Sequence, residues 1–189
     1  MYDCSEPTVK QPKQGAEPTV ILFIDTEWAD QLANEIVSMA LVSDCGQFEF
    51  YAERDPLPAE PTEFVRTTIF PLLERGKHAL SDACFTQELH KFFRAAQTAA
   101  KPGKVKVAYD HRNDLDLLGI ALEAFHLPDT PPRPAFDTLD LGSTGPAFAQ
   151  SVEACFAKDD TLRARRHHAL VDARVNRDAY LLLQSVLRK

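Results

Sequence analysis

Residues 20–28 read Val-Ile-Leu-Phe-Ile-Asp-Thr-Glu-Trp. The first five are continuously apolar and β-branched or aromatic, the composition of a central strand covered on both faces. The run ends in Asp25 and Glu27, and side chains two apart on a strand share a face. Either these acids are solvated where the strand ends, or the mutual repulsion of two carboxylates calls for a cation. Oxygen-only ligation is what Mg²⁺ or Mn²⁺ prefers.

Working outward, residues 35–43 carry a second strand pattern, Asp44, Cys45 and Gly46 supply a turn, and residues 47–53 alternate Phe48, Phe50 and Ala52 with polar neighbours. This is the pattern of a hairpin. Upstream, residues 1–18 hold Pro7, Pro12, Gly15 and Pro18 among Lys, Gln and Glu, so a flexible leader is expected, followed by a single domain over 19–189. Downstream of a Pro-rich break at 55–61, the spacing of Phe64, Val65, Ile69, Leu72 and Leu73 predicts a helix over 62–73, with a kink or new turn at Pro71. Helices are expected over 86–99 and over 114–125, the latter with Leu115, Leu118, Ala121, Leu122 and Phe125 on one face. Short strands are expected at 105–109 and 135–139, and two last helices at 147–156 and 169–187. The order is that of an α/β protein with a mixed sheet flanked by helices.

The 189 residues are 44% apolar and 26% charged, which excludes a chain disordered throughout and gives a core that needs no disulfide or metal staple. Cys4, Cys45, Cys84 and Cys155 lie far apart, as expected of reduced thiols in a cytoplasmic protein. No apolar run is long enough for a membrane span, and no signal-peptide pattern is present. A formal charge of −7 excludes a whole-molecule field that draws in a long polyanion, although a carboxylate-held cation inverts the sign locally.

Two more segments carry candidate chemistry. In AYDHRNDLDLL, residues 108–118, Asp110, Asp114 and Asp116 sit where a strand feeds a loop and a helix, a place where acids also serve as ordinary helix caps. Asp116 points elsewhere on the helix, leaving Asp110 or Asp114. In RRHHALVDARVNRDAY, residues 165–180, Asp172 falls in the first turn of a helix and His167 in the loop before it. An imidazole there can serve as a general base, or the segment is a solvated basic turn.

The order and spacing of these motifs resemble the DEDDh family of 3′–5′ exonucleases, within the ribonuclease H-like superfamily. The family's first motif, D-x-E at the end of the first strand, is matched by Asp25 and Glu27. Its second, commonly Asn-x-x-x-Asp, is matched by Asp110 to Asp114 with Asp in the Asn position; Asp110 is therefore an alternative ligand, and Asp114 is preferred where the loop becomes helix. Its third, His-x-Ala-Leu-x-Asp-Ala, is matched at every fixed position from His167 to Ala173. The likeness runs from about residue 20 to 187, is most specific in the third motif, and is greatest to small bacterial 3′–5′ exoribonucleases.

The resemblance implies a ribonuclease H-like sheet with its first three strands antiparallel and the others parallel. It implies two divalent cations, Mg²⁺ or Mn²⁺, held by Asp25, Glu27, Asp114 and Asp172, and His167 as general base. The expected reaction is hydrolysis of single-stranded RNA from the 3′ end to nucleoside 5′-monophosphates. A DNA exonuclease, a non-catalytic nucleic-acid-binding module retaining the fold, and a hydrolase of small phosphodiesters are the alternatives, since no motif reveals a contact to a 2′ hydroxyl. Trp28 can stack on a terminal base or pack on the sheet edge, and Arg112, Arg165 and Arg166 are candidate phosphate contacts. Family members of this size are frequently homodimers.

Overall fold

The computed structural model describes residues 19–126 and 131–187, so the expected leader lies outside the described residues. Strand β1 (Thr19–Trp28) extends through the two acids, and Trp28 still pairs with Ile36 across a bulge after Glu27. It forms the middle of a six-stranded sheet with β2 (Ile36–Ser43), β3 (Glu49–Arg54), β4 (Ala79–Leu80), β5 (Lys104–Tyr109) and β6 (Asp137–Asp140), in the order β4-β3-β2-β1-β5-β6. The β1–β2 and β2–β3 pairs are antiparallel; β5 on β1, β6 on β5 and β4 on β3 are parallel. Strand order and directions are consistent with a ribonuclease H-like fold. The turn between β2 and β3 uses Gly46 at φ +72, and Arg177 donates across it to the Asp44 carbonyl at 2.9 Å.

Side chains of β1 divide strictly by parity. Leu22 and Ile24 point into a core shared with helices α1 (Asp82–Ala100) and α2 (Arg112–Leu122). Phe23 points the other way, onto Phe148 and Ala179 of helices α3 (Pro146–Ala157) and α5 (Ala169–Leu187). Asp25 and Glu27 continue the face of Phe23, so the sheet aims them toward α5. Every residue of β2 is buried, as befits a strand with neighbours on both sides and helices on both faces.

Four elements differ from expectation for identifiable reasons. Over 62–73 only the beginning is α-helical; Val65–Ile69 form a π turn and Phe70–Leu72 a 3-10 turn. Pro71 cannot donate to a helical ladder, and the π turn buries Val65 and Ile69 against Ala29 and Val37 while Phe64 is left 50% exposed. Helix α2 stops at Leu122 instead of running to Phe125. The carbonyls of Ala121 and Leu122 bond to Thr86 Oγ1 at 2.7 Å and His90 Nε2 at 2.9 Å, and Ala124 and Phe125 take positive φ so that the Phe125 ring turns onto Phe85. Strand β4 and a short helix α4 (Asp160–Ala164) were not expected: two residues cannot show an alternation, and α4 is polar and rests on its Asp159 cap. Among the described residues no helix is long and apolar enough to cross a membrane.

Candidate active site

A cleft of about 390 Å³ opens where β1 and β5 end. Its lining includes Asp25, Thr26, Glu27 and Trp28 from β1, Asp110, His111 and Asp114 at the start of α2, and His167 and Asp172 at the start of α5. The opposite wall is Thr62, Phe64, Val65 and Ile69, and Asp30 and Gln31 close one edge. Every acid of the three motifs therefore borders one cavity.

Each is delivered by a different local device. Thr26, between the two acids, faces the other side of β1 and ties it to α2: its backbone N–H donates to Asp114 Oδ1 at 3.1 Å and its hydroxyl to the same oxygen at 2.7 Å. Asp114 Oδ2 accepts from the His111 N–H at 3.3 Å, and the His111 ring accepts from the Asn113 N–H, so that the helix start is capped reciprocally. Asp114 is consequently 2% exposed and pinned, whereas Asp110 stands at the rim. Asp172 Oδ2 accepts the His167 N–H at 3.0 Å, which fixes the loop to the helix it precedes.

Ligand atoms of Glu27, His167 and Asp172 lie within 4.8 Å of one another. Asp25 Oδ2 and Asp172 Oδ1 are buried and find no hydrogen-bond donor among the described residues. Buried carboxylate oxygens without donors are costly, and an oxygen-rich set with one imidazole is a donor set that a hard divalent cation fits.

The crowding appears in the proton affinities. Burial first, and then the charges of Asp172, Asp114, Glu27 and Asp110, hold Asp25 well above the ordinary carboxyl range. Burial and then Asp172 and Asp114 push Glu27 up to about 9. Asp114 and Asp172 are raised by burial to about 7, against the lowering effect of their own hydrogen bonds from Thr26 and His167. Burial of its carboxyl raises Asp110 as well, against the lowering effect of backbone hydrogen bonds, a hydrogen bond with Asn176 and the nearby His111. For His167, burial and then the nearby Arg166 act downward, favouring the neutral imidazole.

Trp28 packs on the core beneath α2, as one of its two expected roles requires, and it also lines the cleft, its ring 5.5 Å from that of His111. The arginines stand apart from the lining. Arg112 lies near Asp116, Arg165 pairs with Glu74, and Arg166 pairs with Glu153 and covers the Phe156 ring. Thr26, Phe64 and His111 are site residues that motif reasoning missed. Thr26 had a signal, being enclosed by the two acids. Phe64, whose ring meets His167 edge-on at 5.1 Å, looked like part of a buried helix face.

No family model matches this chain, and no curated protein matches it.

Proposed function

We propose that this chain is a divalent-cation-dependent 3′–5′ exonuclease of single-stranded nucleic acid, with RNA the preferred substrate and nucleoside 5′-monophosphates the products. One observation carries the reading: acids from β1, α2 and α5 meet at one cleft in which Asp25 and Asp172 keep buried oxygens that no donor among the described residues reaches. Phosphodiester hydrolysis requires an anionic nucleophile to approach a phosphate that is already negative. Two divalent cations held by Asp25, Glu27, Asp114 and Asp172 would supply the charge neutralisation for that approach and for the leaving oxygen.

The protein's own groups perform the remaining tasks. His167, neutral at the cleft, accepts the proton of the attacking water as the new bond to phosphorus forms. The bond from phosphorus to the 3′ oxygen of the preceding nucleotide breaks, and that oxygen takes up a proton from solvent. Thr26 and the His111 N–H hold Asp114 so that it cannot swing away when a substrate enters. Trp28 and Phe64 give the cleft aromatic walls against which a base can rest, a contact tolerant of sequence.

The test is incubation of 5′-labelled single-stranded RNA and DNA with the protein and Mg²⁺ or Mn²⁺. A ladder of shortened 5′-labelled products is expected, and the faster substrate settles the sugar. His167→Ala should lose the activity at saturating cation. No products from either substrate, or a His167→Ala variant as fast as the parent, would overturn the assignment.

A further inference from the structure

The loop that presents His167 is held from several sides, and one of the holds involves none of the motif residues. His167 takes φ +71, a left-handed backbone unusual for a non-glycine residue, so its neighbours must keep it there. Arg166 donates to both carboxylate oxygens of Glu153 on α3, at 3.2 and 2.7 Å, and lies over the Phe156 ring. On the other side of the loop stands Glu74. Its Oε1 accepts from Arg165 Nη2 at 2.9 Å and is also 3.5 Å from His168 Nε2. His168 is buried, with its ring stacked on Tyr51 at 4.8 Å.

Glu74 is in turn fixed from behind. Its backbone N–H donates at 2.6 Å to Oε1 of Glu53, a carboxylate wholly out of solvent that also accepts the Tyr51 hydroxyl at 2.7 Å and the Arg75 N–H at 2.9 Å. His78 approaches its second oxygen at 3.4 Å. A single carboxylate, anchored on β3, thus touches the residues on both flanks of the Arg166–His167 pair.

We propose that Glu74 is a positioning residue for the hydrolysis: by accepting from Arg165 and standing against the buried His168 ring it keeps the His167 imidazole beside Glu27 and Asp172. This rests on the exonuclease reading above. It also gives Arg165 a different task from phosphate binding. The Glu74 side chain is 39% exposed, and pairs so exposed add little to global stability, so its removal leaves the fold standing. The aim of a general base is far more sensitive, since a displacement of about 1 Å can cost roughly a hundredfold in rate.

Glu74→Ala should lower kcat about tenfold with KM, Mn²⁺ affinity and Tm unchanged, and Glu74→Gln, which keeps an acceptor oxygen, should recover most of the loss. Adding Arg165→Ala to Glu74→Ala should cost nothing more, because both act through one contact. In the metal-free protein the amides of residues 165–168 should exchange faster in Glu74→Ala than in the parent. A Glu74→Ala variant with parental kcat, parental exchange, or an effect that multiplies with Arg165→Ala overturns the proposal. So does a rise in KM alone for Arg165→Ala, which would restore the phosphate contact. If the parent itself cuts neither RNA nor DNA, it is the exonuclease reading that has failed.

Discussion

Loading the cleft with a divalent cation should expel protons, and their number follows from the surroundings of the acids. At pH 7, Asp114 and Asp172, each held at about 7, are half protonated, while Glu27, held at about 9, is protonated. A bound cation needs these oxygens ionised, so binding at that pH releases about two protons from the three groups, and Asp25 can only add to the number. The apparent Mn²⁺ affinity should accordingly climb about a hundredfold per pH unit near neutrality. Calorimetric titration of metal-free protein in two buffers of different ionisation heat counts the protons directly. The same groups tie stability to pH. Their folded values lie above their unfolded ones, so the stability they contribute is complete below about pH 4 and is lost as pH rises through 7 and toward 9. The Tm of the metal-free protein should fall across that window, and Mn²⁺ should raise it more at about pH 8 than at about pH 6. A binding enthalpy identical in both buffers, together with a Tm flat across the window, would refute the argument that these carboxyls crowd one another.

Asp172→Asn should abolish the Mn²⁺-induced rise in Tm yet make the metal-free protein more stable at alkaline pH, because it removes one of the repelling charges while keeping an oxygen for the His167 N–H; thermal melts with and without Mn²⁺ decide. Thr26→Val deletes the 2.7 Å hydroxyl bond to Asp114 and should cost about 1–3 kcal/mol in urea unfolding as well as slowing any hydrolysis. Phe93→Ala, emptying a site of zero exposure between α1 and the sheet, should cost about 3–5 kcal/mol by the same measurement while leaving Mn²⁺ affinity intact.

What was readable in the sequence were the features with long periodicity or strong local rules. The apolar run of β1 announced a doubly covered strand, and 169–187 matched its helix from end to end because a nineteen-residue amphipathic pattern is unambiguous. The parity of Asp25 and Glu27 was readable too, since a strand fixes which residues share a face. The segment 62–73 misled because apolar spacing does not reveal a π turn, and Phe64 consequently faces the cleft instead of the core. The end of α2 was illegible because its caps, Thr86 and His90, lie more than thirty residues away on α1. The arginines of 165 and 166 looked free for phosphate only while their partners Glu74 and Glu153 were out of view. Short-range pattern identifies an element, but the company a charged side chain keeps is a matter of tertiary structure.

The division of labour along the chain has a temporal side. Asp25 and Glu27 leave the ribosome before the other acids, on the strand around which the sheet is later assembled, whereas His167 and Asp172 arrive only with α5. A nascent polypeptide that has not yet reached residue 172 carries the first acids without their partners. The cleft is therefore assembled only after residue 172 has been made, and a chain stopped short of it lacks two of the side chains that line the cavity or holds them without their helix.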